Sequence, residues 1–440
     1  MPILAVVGTG YVGLVTGVLL ADFGHTVTCV DVDAEKINKL CNGQIPIYEP
    51  GLEPIVMRNL TCGRLHFTTD IRVAVEESEV IFITVGTPPK EDGRADIQYV
   101  LHAAREIAKW MNGYKVIVNK STSPVGTARA IKQTIHQVLH ERGVNFPFDV
   151  VSNPEFLREG TAIQDFMHPY RIVIGAENPH AIERMKAVYG FCYKNEVPTI
   201  EANLETAEMI KYASNAYLAM KVTYINEIAN VCEKMGADIQ LVAEAMGLDQ
   251  RIGPSFLKAG PGYGGSCFPK DASALIRMAE DCGESLQLVE AMIKSNQLQK
   301  LRMVDKIRDG LGDLAGKNIA ILGITFKPNT DDIRESPALV ILPRLVELGA
   351  KLRVYDPCGR INGERAFRDI LDSIAWCGDI YEAVSDSDAT VILTDWDEFR
   401  SIDFDRYESL HAGKVLFDLR NLYERQPMTE KGFLYFGVGK

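Results

Sequence analysis

The sequence predicts an α/β protein with two doubly wound parallel-sheet domains joined by a long central helix. Three observations carry that expectation. The chain opens on a strand, a glycine-rich turn, a helix and a second strand within residues 3–33. A helix-length stretch, residues 205–235, contains neither glycine nor proline, and after residue 317 the strand rhythm of the opening returns. At 440 residues the chain exceeds one compact core, and about 150 residues per domain gives two or three domains.

Taken in order, "ILAVV" (3–7) is a buried-strand run, "YVGLVTGVLLADFG" has helical length and closes at Gly24, and "TVTCVDVD" is a second strand run ending in acids. Further strand runs at 80–86, 115–121, 149–155 and 171–175 alternate with helix-length segments, so a first domain is expected over 1–200. From Glu205 to Met235 apolar residues recur at helical spacing, which predicts one long helix. With the shorter helices that follow, it is expected to form a spine over 201–310, and its apolar surface makes it a candidate dimer interface, in a homodimer or a higher homo-oligomer. Strand runs resume at 318–323, 351–357, 389–395 and 414–420, predicting a second α/β domain over 311–440. There the first crossover is longer: Gly323 to Asp356 is 33 positions, against 23 from Gly8 to Asp31. "ITFKPNTDDIRES" fills the extra length, so a second dinucleotide held in the same way is not expected.

The net charge of −12 is dispersed, with no long like-charge run, which argues against nucleic acid or an anionic membrane as a partner. Any phosphate-bearing ligand must then be held by local groups. The opening residues lack a basic lead-in and a long apolar stretch, no run reaches bilayer-spanning length, and the nine cysteines never form a C-x-x-C pair. The expectation is a cytoplasmic protein with reduced thiols, no disulfide framework and no metal site. His136 and His140 have zinc-ligand spacing, but no glutamate follows the first histidine, and a solvated helix face is expected.

Three places carry chemistry. "GTGYVG" supplies Gly8, Gly10 and Gly13 between a strand and a helix, for a tight turn, for pyrophosphate approach and for helix–strand packing. Asp31 ends the next strand, where a carboxylate accepts from the adenosine ribose hydroxyls and repels a 2′-phosphate. A Rossmann-like site for NAD rather than NADP is therefore expected. Lys211 and Asn215 share a face of the long helix, continued by Leu218 and Val222. A lone lysine there usually snorkels to water; a cation and an amide at the end of an apolar stripe also suit developing negative charge on a substrate oxygen. Finally, "GYGGSCFPKD" sets Cys267 among Gly262, Gly264 and Gly265, which let backbone come close to a ligand. Pro269 reads as the first residue of a helix, and a helix N-terminus with Lys270 nearby favours a thiolate. Most single cysteines are inert buried hydrophobes, so the motif leaves both readings open.

Together, "GTGYVG", "STSPVGT" (121–127), "NPEFLREGTAIQDF" (153–166), "ETAEMIKYASNAYLAMKVTYINE" (205–227), "RIGPSFLKAGPGYGGSCFPKD" (251–271) and "FKPNTDDIRESP" (326–337) resemble the nucleotide-sugar 6-dehydrogenases, the UDP-glucose/GDP-mannose dehydrogenase family. They occur in family order along nearly the whole chain, and "IPIYEPGL" (45–52) and "RIVIG" read like the UDP-glucose branch. The resemblance implies oxidation of a sugar C6 alcohol to a carboxylate with two NAD⁺, UDP-glucose as the small-molecule substrate, and a UDP-sugar-binding role for 311–440. It implies that Cys267 holds thiohemiacetal and thioester intermediates, that Lys211 stabilises alkoxide and oxyanion, and that Asp271, Asn215 and Thr122 order the water. Glu155 would be the acid/base of the thioester stage. Implied cofactor contacts are Val12, Asp31, Lys36, Thr87, Thr122, Glu159, Lys270 and Arg334. The sugar nucleotide would meet Glu155, Phe156, Leu157, Arg158 and Glu159, then Lys211 and Asn215. Beyond these it would meet Phe256, Leu257, Lys258, Ala259 and Gly260, with Gly264 and Lys327, while Arg251 would reach the ligand of a partner subunit. GDP-mannose and UDP-N-acetylmannosamine dehydrogenases share most of these motifs. An NAD-binding sensor or scaffold would have no use for Cys267, Lys211 and Asp271 together.

Overall fold

The structure, a computed structural model, describes the backbone of residues 1–440 and every side chain except those of Tyr193 and Lys194. The chain divides into two compact units, residues 1–214 with 273–283 and residues 215–272 with 284–440.

The first unit is built on eight strands: β1 (Ile3–Val7), β2 (Thr26–Val30), β3 (Leu65–Thr68), β4 (Val80–Ile83), β5 (Lys115–Asn119), β6 (Phe148–Ser152), β7 (Ile172–Ala176) and β8 (Thr199–Ala202). Their order is β3-β2-β1-β4-β5-β6-β7-β8. The central strands are near-continuous apolar runs because both faces are covered. Leu4, Val6, Phe82 and Val118 point into one core, and Ala5, Val7, Ile81 and Ile117 into the other. The chain order reverses between β1 and β4, the place where open α/β sheets bind ligands. Since β1, β4, β5 and β6 are mutually parallel, the turns that follow them share the carboxyl edge of the sheet.

One pairing departs from the expected parallel arrangement: β7 runs antiparallel to β6. The connection over 153–171 therefore returns at the edge it left instead of crossing over. This keeps the whole "NPEFLREG" stretch beside the other carboxyl-edge turns.

The helix Leu204–Met235 is unbroken; it begins in the first unit and ends in the second. The second unit contains β9 (Asn318–Leu322), β10 (Lys351–Tyr355), β11 (Ile374–Trp376), β12 (Ala389–Ile392), β13 (Val415–Asp418) and β14 (Leu434–Phe436), all parallel, in the order β11-β10-β9-β12-β13-β14. Again alternate residues fill two cores, Ile319 and Ile321 on one side, Ala320 and Leu322 on the other. Asp356, the counterpart of Asp31, is buried and turned onto its own chain. It accepts from the N–H groups of Ile324 (2.7 Å), Thr325 (3.1 Å), Cys358 (2.9 Å) and Gly359 (2.6 Å).

Candidate active site

The glycine turn is shaped by three different constraints. Gly8 has φ +103°, and a Cβ there would lie 3.0 Å from the Thr84 backbone. A Cβ on Gly13 would lie 1.9 Å from the Gly8 carbonyl oxygen, so the helix Tyr11–Asp22 can approach β1 only with glycine at this place. Gly10 differs, for nothing lies within 4 Å of its added Cβ. That open space before a helix N-terminus, with Val12 partly exposed in the first turn, fits a dinucleotide pyrophosphate.

Asp31 completes this end. Its Oδ2 accepts from the Thr9 N–H (2.8 Å), the Thr9 hydroxyl (2.7 Å) and Lys36 Nζ (3.1 Å), and its Oδ1 accepts from the Asp33 N–H (3.1 Å). Partial burial works against the charge, but these donors outweigh it and hold the carboxyl below its ordinary range. The Thr87 hydroxyl donates to the Thr122 carbonyl (2.6 Å), joining the turns after β4 and β5.

On the returning 153–171 connection, Glu155 is 5% exposed and Lys211, on the long helix, is 3% exposed. Lys211 Nζ donates to Glu155 Oε1 (2.9 Å), and Glu155 Oε2 accepts from the Leu157 N–H (2.6 Å). The Phe156 ring lies beneath two cations, with Arg171 at 3.6 Å and Lys211 at 5.3 Å from its centre. Arg158 is bound to Asp165, down to 2.6 Å. Beside the partly buried Glu159, the Gly160 N–H donates to Tyr11 Oη (2.7 Å) and to Glu49 Oε2 (2.7 Å), and Glu49 Oε1 accepts from the Ala162 N–H (2.8 Å). The first helix, the "IYEPGL" turn and the Glu155–Glu159 stretch are thereby fastened at one point.

In the second unit, Cys267 is partly exposed and immediately precedes the helix Phe268–Asp281. The helix starts one residue earlier than Pro269 suggested, and its first backbone bond runs from the Asp271 N–H to the Cys267 carbonyl (2.8 Å). Asp271 is fully buried; it accepts from Asn215 Nδ2 (2.6 Å) and from Lys270 Nζ (2.5 Å). The glycines ahead of the thiol also let other parts of the chain come close. A Cβ on Gly264 would lie 2.3 Å from the Glu335 carbonyl oxygen, one on Gly265 2.7 Å from the Phe326 ring, and one on Gly262 2.9 Å from Asn296 Oδ1. The space each glycine leaves is filled by the chain itself, and the Gly265 N–H donates to the Arg334 carbonyl (2.8 Å).

Residues 256–260 lie on the same loop. Phe256 has φ +66°, a strained value for a side chain of this size. Leu257, Ala259 and Gly260 are buried, whereas Lys258 is exposed. The Gly260 N–H donates to Asn226 Oδ1 (2.8 Å), and its carbonyl accepts from Gln299 Nε2 (2.9 Å). Lys327 Nζ lies 5.6 Å from the centre of the Phe326 ring, and Arg334 forks onto Asp332. Arg251 stands apart from this group, exposed and paired with its neighbour Asp249 (2.6 Å).

Several residues around the candidate site have no motif to announce them. Asn226, Asn296 and Gln299 are buried polar residues that hold the thiol loop, the buried Lys300 donates to the Glu335 carbonyl (3.1 Å), and the partly buried Arg420 donates to the Leu393 carbonyl (2.7 Å). Polar residues at core-facing helical positions were the available signal. His136 packs against Phe148, 4.7 Å between ring centres.

Comparison with known proteins decides the family. Family models for the NAD-binding, central and UDP-binding domains of the UDP-glucose/GDP-mannose dehydrogenases match residues 3–192, 205–298 and 320–425 in turn. The chain belongs to that family. A UDP-glucose 6-dehydrogenase of Rhizobium meliloti is 49% identical over 99% of both chains. Among solved structures, a UDP-glucose dehydrogenase from Pyrobaculum islandicum matches with TM-score 0.89 and 37% identity, covering 100% of this chain and 98% of its own. A UDP-D-ManNAc dehydrogenase from Pyrococcus horikoshii matches with TM-score 0.86 and 26% identity, covering 99% of each. As a member of the UDP-glucose/GDP-mannose dehydrogenases, the protein is an NAD-dependent oxidoreductase, and the glycine turn with Asp31 lies in its NAD-binding domain. Among the described residues, no helix is long and apolar enough to cross a membrane.

Proposed function

We propose that the protein oxidises the C6 alcohol of UDP-glucose to UDP-glucuronate, with two NAD⁺ reduced per sugar. The observation that carries this reading is the group at the start of the helix Phe268–Asp281. A single thiol there is followed one turn later by a buried carboxylate tied to Asn215 and Lys270. A one-step alcohol oxidation needs no such thiol. UDP-glucose, not a sister substrate, is favoured because the relatives of that name are 49% and 37% identical, against 26% for the UDP-D-ManNAc enzyme.

NAD⁺, when bound, takes the hydride from C6. Lys211 meets the alkoxide oxygen as the alcohol loses its proton. The Cys267 thiolate adds to the aldehyde carbon, and the oxygen takes up a proton to give a thiohemiacetal. Loss of the second hydride and of that proton leaves a thioester. Water held by Thr122, Asn215 and Asp271 then attacks the acyl carbon, Glu155 takes one of its protons, the C–S bond breaks to release thiolate and carboxylic acid, and the acid loses the second proton to solvent as carboxylate. In this reading residues 1–200 hold NAD, 201–310 carry the catalytic helix and the dimer face, and 311–440 hold the UDP-sugar. Tyr217, Tyr224 and Val231, exposed at seven-residue spacing on the long helix, support a homodimer, for which sedimentation is the check. Nine cysteines without a disulfide pairing support a reducing cytoplasm.

The test is a panel of sugar nucleotides scored for NADH. UDP-glucose is expected to give two NADH per sugar. One NADH with free aldehyde would remove the thiol mechanism, and a preference for GDP-mannose would move the protein to another branch.

A further inference from the structure

Lys120 directly follows β5, two residues before Thr122, and is 4% exposed. Its ammonium donates to Asn153 Oδ1 (3.2 Å) and to Tyr189 Oη (3.2 Å), and stands 5.8 Å from the centre of the Tyr189 ring. Tyr189 donates to the same Asn153 oxygen (2.6 Å), and the Asn153 amide donates to the Val173 carbonyl (2.8 Å). These partners are all neutral. The ionisable groups that bear on Lys120 are Glu155 from the turn after β6, Lys211 from the long helix, and the Cys192 thiol from the segment carrying Tyr189.

Burying an ammonium among neutral partners is costly, and a methionine would fill the same volume without that cost. Burial does draw the Lys120 ammonium down to about 8, with Glu155 opposing that pull and Lys211 adding to it. The charge count suggests why a cation is kept. Among the described residues Glu155 has one buried ion-pair partner, Lys211, and the reaction needs that same lysine for a substrate oxygen. Once Lys211 serves the oxyanion, Glu155 would keep the Leu157 N–H but lose its paired cation. With Lys120 present, the three groups sum to one net positive charge, which suits an alkoxide or oxyanion.

Building on the roles proposed above for Glu155 and Lys211, we propose that Lys120 is a positioning residue for this reaction. Its charge offsets that of Glu155 while Lys211 is engaged by substrate, and its bond to Asn153 ties the Thr122 turn to the Glu155 turn.

The experiment is the pH–rate profile of NADH formation at saturating UDP-glucose and NAD⁺ for wild type, Lys120→Met and Lys120→Arg. Loss of the charge is expected to move the acid limb of kcat up by about one pH unit, so that the variant loses about 10-fold on that limb and much less on the alkaline side. KM for NAD⁺ is expected to stay unchanged, and Lys120→Arg to restore the limb. A Lys120→Met profile of wild-type shape, scaled down or not, would overturn the proposal. If the methionine variant does not fold, Lys120→Gln keeps a donor for Asn153 and gives the same readout. Failure of both neutral variants to fold, with Lys120→Arg folding, would make the charge a folding device and overturn the proposal too. Wild type that forms no NADH from any sugar nucleotide would remove the proposed function and this assignment with it. An active wild type with an unmoved limb removes this assignment alone.

Discussion

Asp31 is held by four donors from its own chain, which fix a negative charge at the end of β2, where the proposed reading puts the NAD ribose. A carboxylate pinned by Thr9, Asp33 and Lys36 cannot swing away from an incoming 2′-phosphate. Asp31→Ala is therefore expected to narrow the advantage of NAD⁺ over NADP⁺ in kcat/KM by about 10-fold or more, since removing one close charge repulsion is worth at least one factor of ten. Parallel steady-state assays with the two cofactors check this, and an unchanged ratio would show that Asp31 does not read the ribose. Asp31 was legible because strand, glycine turn and acid occur at fixed spacing. Lys120 was not, because a lysine that ends a strand run reads the same whether it is buried or solvated. Only the fold shows that β5 and β6 are neighbours and that Asn153 lies across from it.

At the scale of elements, the helix Thr127–Glu141 starts at Gly126, which has no side chain to cap it. The cap comes from another helix: Glu208, 3% exposed, accepts from the Gly126 N–H (2.7 Å) and the Ala128 N–H (2.8 Å). This fixes the end of the "STSPVGT" turn that carries Thr122. Burial raises the Glu208 carboxyl to about 7, the two N–H donors opposing that rise. Between the ordinary glutamate range and about 7, the unfolded chain has already released a proton that the folded chain keeps. The unfolded state thus binds fewer protons, and this group's contribution to stability falls as pH rises through that window. Glu208→Gln, which does not titrate, is expected to lose this dependence. Its Tm relative to wild type is expected to be less favourable at pH 5 than at pH 8, and thermal unfolding at the two pH values measures it. An equal difference at both would contradict the assignment. In sequence, "ETAEMIK" shows Glu208 as one more acid on a long helix, and nothing local says that its carboxylate leaves solvent to cap a neighbour.

For the whole molecule, the repeated sheet and the long helix were legible because buried parallel strands are short apolar runs and a helix free of glycine and proline is hard to read otherwise. The edge strands β3, β8, β11 and β14 were not, being only three or four residues long and partly exposed, too short to stand out in the chain. The reversal of β7 was also hidden, since "RIVIG" has the same pattern in either direction. Likewise, nothing in "GYGGSC" says that its glycines also admit Glu335, Phe326 and Asn296 from segments far along the chain.

The central claim, that one thiol links two oxidations, is tested most directly by Cys267→Ser. The serine keeps the size of the side chain and leaves the NAD-binding residues untouched, but it replaces a strong nucleophile and good leaving group by a poor one. Steady-state NADH formation is expected to fall by at least about 10³-fold, with calorimetric affinity for UDP-glucose nearly unchanged. In wild type quenched during turnover, mass spectrometry is expected to find the sugar adduct on residue 267. Near wild-type turnover by the serine variant, or an adduct on another cysteine, would contradict the account and return Cys267 to a structural role.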